Sequence, residues 1–159
     1  MSERLESGGN MLLSGSQFFG RYIAKDSFDH NWPEEAAQFY QRLKASGAEA
    51  GATLLFGSGD IHFSELQRIA AEKFGYATYE ITSSSAHSSA FPGHYLLKGH
   101  NPQRFQVTGT HNVILLEMTP PIGPAVADTA AWRLHVRALG WRGGDLFSSD
   151  LRVCERSLL

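Results

Sequence analysis

The chain of 159 residues contains one cysteine, Cys154, so no internal disulfide is open to it. That fits a reducing compartment and leaves Cys154 reading as a small packing residue. No apolar run approaches the roughly 20 residues that a membrane-spanning helix needs. The leading MSERLESGGN carries Glu3 and Glu6 where a secretory signal would be basic and then apolar. The resulting expectation is a cytoplasmic protein with no membrane partner. A dense basic patch is missing too: residues 1–80 hold eleven acids and seven bases, and residues 81–159 hold five acids and seven bases. So mild an asymmetry argues against a duplex nucleic-acid partner and fits a local pocket for a small anion. The sharpest absence is local. Between Glu80 and Glu117 there is no carboxylate at all.

Apolar residues make up 42% of the chain and charged residues 19%, the balance of a folded globular protein. The expected organisation is a mobile polar segment over residues 1–16 followed by one α+β domain over 17–159. In that domain two N-terminal helices pack on a mainly antiparallel sheet. Residues 17–24 (QFFGRYIA) read as a first strand and residues 28–31 as a turn. Residues 32–46 read as a helix: Asn31 caps it, Pro33 sits in its first turn, Ala36, Phe39, Tyr40 and Leu43 share a face, and Gly47 ends it. Residues 52–56 (ATLLF) form a buried strand, and Gly57-Ser58-Gly59-Asp60 a tight turn. A second helix is expected over 65–74, with Ser64 as its cap, Leu66, Ile69, Ala70 and Phe74 as its stripe, and Gly75 as its stop. Strands are expected over 76–82, 94–98, 104–108, 112–118, 132–139 and 146–153, with one helical turn within 125–131.

The carboxylate-free window holds His87, His94, His100, His111, Lys98, Arg104 and the serines at 83, 84, 85, 88 and 89. Donors without competing negative charge suit a phosphate, a nucleotide or a carboxylate, and imidazole titrates near neutral pH. The histidine spacing, H-x6-H-x5-H-x10-H, lacks the close pair of a zinc site, and no carboxylate is at hand to orient a ligand. No metal and no other cofactor is therefore expected; His94 and His100 converging across a turn is the one metal arrangement left open. Outside the window, strand alternation over 132–139 puts Arg133, His135 and Arg137 on one face and Leu134, Val136 and Ala138 on the other. Guanidinium forks match phosphate oxygens. The same pattern also describes the solvated outer face of an edge strand.

Two short stretches carry a family resemblance. Ile61-His62-Phe63-Ser64-Glu65-Leu66 is followed, 73 positions on, by Leu134-His135-Val136-Arg137-Ala138-Leu139. The pair resembles the two-histidine phosphoesterases, in which a histidine followed two residues later by Ser or Thr recurs on central strands. Arg137 stands where Ser or Thr is expected, and His87-Ser88-Ser89 is a rival first motif. The resemblance implies a metal-independent hydrolase acting on phosphodiester bonds. His62 and His135, or His87 and His135, would serve as general acid and base. Ser64, Ser89, Arg104, Arg133 and Arg137 would hold a small phosphorylated or nucleotide ligand.

The element order is also similar to that of ADP-ribosyltransferases, with Thr82-Ser83-Ser84-Ser85 for their Ser-Thr-Ser strand and residues 113–118 before Pro120-Pro121-Ile122-Gly123. Phe56-Gly57 stands where that family's NAD-binding arginine belongs, and residues 132–147 lack its glutamate. The remaining alternative is a non-enzymatic inhibitor or sequestering module whose His/Arg face holds an anionic ligand or a protein partner. Catalysis needs two imidazoles facing one cavity, whereas binding needs only donors.

Overall fold

The apolar run that reads as a buried strand is one, and every residue from Ala52 to Gly57 is buried. It is the second of eight strands in a computed structural model that describes residues 8–20, 27–50, 52–84, 86, 103–120 and 131–154. In chain order the elements are β1 (Gly8–Leu13), α1 (Phe28–Asn31), α2 (Pro33–Ala50), β2 (Ala52–Ser58), β3 (Ser64–Ile69), α3 (Ala71–Phe74), β4 (Thr78–Thr82), β5 (Arg104–Thr108), β6 (Asn112–Thr119), β7 (Ala131–Gly140) and β8 (Asp145–Cys154). They form a five-stranded sheet in the order β1-β2-β4-β3-β5 and a three-stranded sheet in the order β6-β7-β8. Helices and sheets together make the chain α+β, the class expected from its pattern. Four of the six strand pairings are antiparallel; β1–β2 and β2–β4 are parallel, so one flank of the larger sheet departs from the antiparallel expectation. No helix among the described residues is long and apolar enough to cross a membrane.

Alternation along β2 feeds two cores, because successive side chains leave a strand on opposite faces. Leu54 and Phe56 join Phe18, Phe19, Ile69, Phe74 and Tyr76, together with Ala36 and Tyr40 of α2. Aromatic rings dominate this cluster: Phe56 meets Phe18 and Phe19 edge-on at centroid distances of 5.1 and 5.0 Å, and Phe19 stacks on Tyr40 at 4.6 Å. Such pairs add about 0.5–1.5 kcal/mol each beyond the area they bury. Leu55 points the other way, to Leu66, Ile81, Leu134, Val136, Leu151 and Val153, and so joins the inner faces of the two sheets.

Five local expectations are corrected. Residues 8–13 are not part of a loose lead-in. They form β1, in parallel register with β2 from Gly8↔Ala52 to Leu13↔Gly57. Their glycines serve a close approach rather than mobility: a Cβ on Gly9 would lie 3.1 Å from Met118 Cε and 3.4 Å from the Trp132 ring. Gln17–Gly20 is not a strand. Gln17 makes one isolated bridge to Ser27, the next three residues run irregularly, and the rest of the expected strand lies outside the described residues. The expected turn over 28–31 closes as a single helical turn, α1, and α2 continues past a buried Gly47 to Ala50.

The fifth correction matters most. The expected helix over 65–74 is strand β3 followed by the one-turn helix α3, so Ser64 begins a strand and caps nothing. Leu66 and Ile69, which a helix would place on one stripe, fall on opposite faces, Leu66 in the inter-sheet core and Ile69 in the aromatic core. The expected stop does hold: Gly75 ends α3 with a left-handed φ of 85°. The strand expected over 94–98 and the helical turn expected within 125–131 lie outside the described residues, except that Ala131 begins β7.

Candidate anion-binding site

Strand β7 carries the clearest grouping of the residues singled out from sequence. Leu134, Val136 and Ala138 are buried, the first two against Leu55, Leu66 and Ile81 of the larger sheet, and Arg133, His135 and Arg137 face outward from the smaller one. Register with the flanking strands sorts this outer face into rows. Arg137 lies between Leu115 and Ser148, His135 between Glu117 and Asp150, and Arg133 between Thr119 and Arg152. His135 Nδ1 lies 2.7 Å from Asp150 Oδ1. Arg137 donates through Nε and Nη2 to Asp145 Oδ1 at 3.1 and 2.9 Å. Both pairs are solvent-exposed, and surface pairs of this kind contribute about 1 kcal/mol or less.

The third row differs. Arg133 and Arg152 stand directly opposite each other, where Cβ atoms are about 4.5–5.5 Å apart and like charges repel. Among the described residues neither makes an ion pair, and the nearest outward acid on β6, Glu117, stands opposite His135. No protein-family model, curated protein or solved structure matches this chain.

The other expected site residues are placed differently. Arg104 is 2% exposed, and its Nε forms a buried salt bridge with Glu65 Oε2. Ser64 is fully buried, and its Oγ accepts the Ser84 N–H at 3.2 Å. His62 is exposed in the turn between β2 and β3, at a left-handed φ of 61°. The Ile61 and His62 N–H groups both donate to Ser84 Oγ, at 2.7 and 3.1 Å, which fixes that turn. His62, Ser64 and Ser84 therefore form one group, Arg133, His135 and Arg137 another, and Arg104 belongs to the interior. His87, Ser89, His94 and His100 lie outside the described residues. His111 is exposed just before β6.

Arg104 belongs to a buried polar network that the sequence reading missed. Gln17 Nε2 donates to Glu65 Oε1 at 2.6 Å and to Thr82 Oγ1 at 3.0 Å, and Gln67 Nε2 donates to the Phe19 carbonyl at 2.6 Å. Glu80 accepts the backbone N–H groups of Phe18 and Phe19 at 2.7 and 2.9 Å. Tyr40 donates its phenol to the Phe18 carbonyl at 2.7 Å, and burial pushes that phenol's pKa well above its ordinary value. The irregular Gln17–Gly20 segment thus satisfies much of its backbone on side chains, and the Gln17 and Phe18 carbonyls also accept the Phe28 and Asp29 N–H groups. Burial raises the Glu65 carboxyl against the pull of the Arg104 guanidinium. It raises Glu80 to about 7 against the two N–H donors. These groups are committed to holding the fold.

Arg152 and Asp150 are two charged members of the outer face that residue patterns alone did not single out. A hairpin folded about Arg142-Gly143 would have placed Arg152 opposite Arg133 and Asp150 opposite His135.

Proposed function

We propose that the protein binds a small phosphorylated ligand on the outer face of the smaller sheet, at the end where Arg133 and Arg152 meet. The observation that carries this reading is the cross-strand pair of arginines, neither of which makes an ion pair among the described residues. A phosphate bridging two guanidinium forks would turn their repulsion into paired, charge-assisted hydrogen bonds. Thr119 offers a hydroxyl on one side and His135 an imidazole one row away. The open face supports binding, as in a sequestering module or a docking surface for a phosphorylated partner. Titration with inorganic phosphate tests it. Binding should weaken with salt and fall roughly three- to tenfold in Arg133→Ala and in Arg152→Ala, the scale of an exposed charge-assisted contact. Arg137→Ala, whose guanidinium already has Asp145, should stay within about twofold. A double Arg133→Ala/Arg152→Ala variant that binds as well as the parent protein would refute the reading.

The paired-histidine phosphoesterase is the second reading, and the His135–Asp150 pair is what favours it. A carboxylate that orients an imidazole is the usual support of a general base. It requires His62 or His87 to reach the same phosphorus. Hydrolysis of 2′,3′-cyclic nucleotides should then be measurable and should drop by two or more orders of magnitude in His135→Ala. Equal rates in the two proteins would remove it.

A further inference from the structure

A cavity of about 490 Å3 opens where the parallel strands β1 and β2 end. Phe28, Trp32 and Phe39 line it, together with Ser14 and Ser16, just past β1, and Asp60, two residues past β2. Its volume is within the range of small-ligand sites, and the space beyond the carboxyl ends of parallel strands is where open α/β sheets bind ligands. Three features give it a chemistry distinct from that of the arginine face.

The first is flat aromatic surface left in contact with water. Trp32 is 54% exposed, with its ring centroid 6.3 Å from that of Phe28, which in turn meets Phe39 edge-on at 5.7 Å. The second is charge. Asp60 is the one charged side chain among the described lining residues, and Glu34 and Glu35 occupy the first turn of α2 close by in the chain. The Asp60 carboxylate suits a ligand with hydroxyl or amine donors and opposes a phosphate. The third is preset geometry. Asp60 adopts a left-handed φ of 62°, an uncommon conformation that persists where the surroundings hold it. Ser84 Oγ supplies that hold by accepting two N–H groups of the same turn.

We propose that this cavity is a nucleoside-binding site. The base stacks against Trp32 and Phe28, and the two ribose hydroxyls donate to the Asp60 carboxylate. The ring supplies the stacking face that the aromatic wall matches. A vicinal diol is the neutral double donor that a single carboxylate accepts with both oxygens. Ser14 and Ser16 present hydroxyls at the rim for the polar edge of the ligand.

Calorimetric titration with adenosine, guanosine, cytidine and uridine, their 2′-deoxy counterparts and adenosine 5′-monophosphate is the test. At least one ribonucleoside should bind, its 2′-deoxy form should bind at least tenfold more weakly, and in the double Arg133→Ala/Arg152→Ala variant a 5′-phosphate should not tighten binding. Asp60→Asn should weaken the ribonucleoside roughly ten- to a hundredfold, the scale of hydrogen bonds to a charged acceptor. Trp32→Ala should weaken it at least fivefold. Both side chains are exposed, so circular dichroism should show the fold intact in each variant. The double Arg133→Ala/Arg152→Ala variant should bind the nucleoside like the parent, which separates this site from the phosphate site. The proposal fails if no ribonucleoside binds at millimolar concentration. It fails equally if Asp60→Asn or removal of the 2′-hydroxyl leaves affinity unchanged.

Discussion

Glu80 should make the protein lose stability as the pH rises through neutrality. Its side chain is fully buried, and its two oxygens accept the Phe18 and Phe19 N–H groups. Desolvation outweighs those donors and raises the carboxyl from 4.5 to about 7. A carboxyl with a raised folded pKa holds its proton more tightly in the native state than in the unfolded chain. Its contribution is therefore fully present below pH 4.5 and is lost as the pH climbs to 7. Each pH unit in that window is worth about 1.4 kcal/mol, so the loss amounts to roughly 3 kcal/mol. That is a large share of the 5–15 kcal/mol typical of a folded domain. Glu80→Gln removes the titration. It also leaves one of the two backbone N–H groups facing an amide NH2, a pH-independent cost of about 1–3 kcal/mol. The slope is therefore the informative quantity. Urea unfolding of both proteins at half-unit steps from pH 4.5 to 8.5 should give curves that converge as the pH rises, with the parent losing about 3 kcal/mol relative to the variant. Glu65, also raised by burial, is present in both proteins and largely drops out of the difference. Parallel curves across this range would refute the argument.

Arg104→Ala should cost about 3–5 kcal/mol by chemical denaturation, because it strands the Glu65 carboxylate in a site with no exposure. Replacing both partners with apolar residues, as in Glu65→Leu with Arg104→Met, should recover most of that loss. Gly20→Ala should lower stability by about 1–3 kcal/mol in thermal melts, since its Cβ would lie 2.7 Å from both Gln17 Oε1 and the buried Ser27 Cβ. Gly57→Ala should cost less than about 1 kcal/mol, although its Cβ would come just as close to Leu13 and Met11, because it meets only the exposed, flexible ends of those side chains.

Regular alternation and simple burial were legible in the sequence. β2, β5, β6, β7 and β8 lie where apolar runs or alternation predict strands, and α2 follows its i, i+3, i+4 stripe. The failures trace to partners distant in the chain. In β3 one face carries Glu65 and Gln67, buried because Arg104, Gln17 and the Phe19 carbonyl satisfy them. A buried polar face reads as a solvated one until its partners, 39 and 48 residues away, are known. β1 was hidden by glycines whose purpose is the approach of Trp132 and Met118. The outward set Arg133, His135 and Arg137 was readable from β7 alone, while Arg152 needed the hairpin register. The aromatic cavity draws on three separate stretches of chain, around Ser14, Phe28–Phe39 and Asp60, and no local pattern announces such a convergence.

β2 has a further consequence, because Leu54 and Phe56 on one side and Leu55 on the other commit a single strand to both interiors. Withdrawing it would open the aromatic core and the inter-sheet core in the same step. The two sheets should therefore unfold together rather than one after the other. Hydrogen exchange at the amides of Leu54, Leu55 and Phe56 then waits on global unfolding. Damage anywhere in either layer is felt by the whole protein.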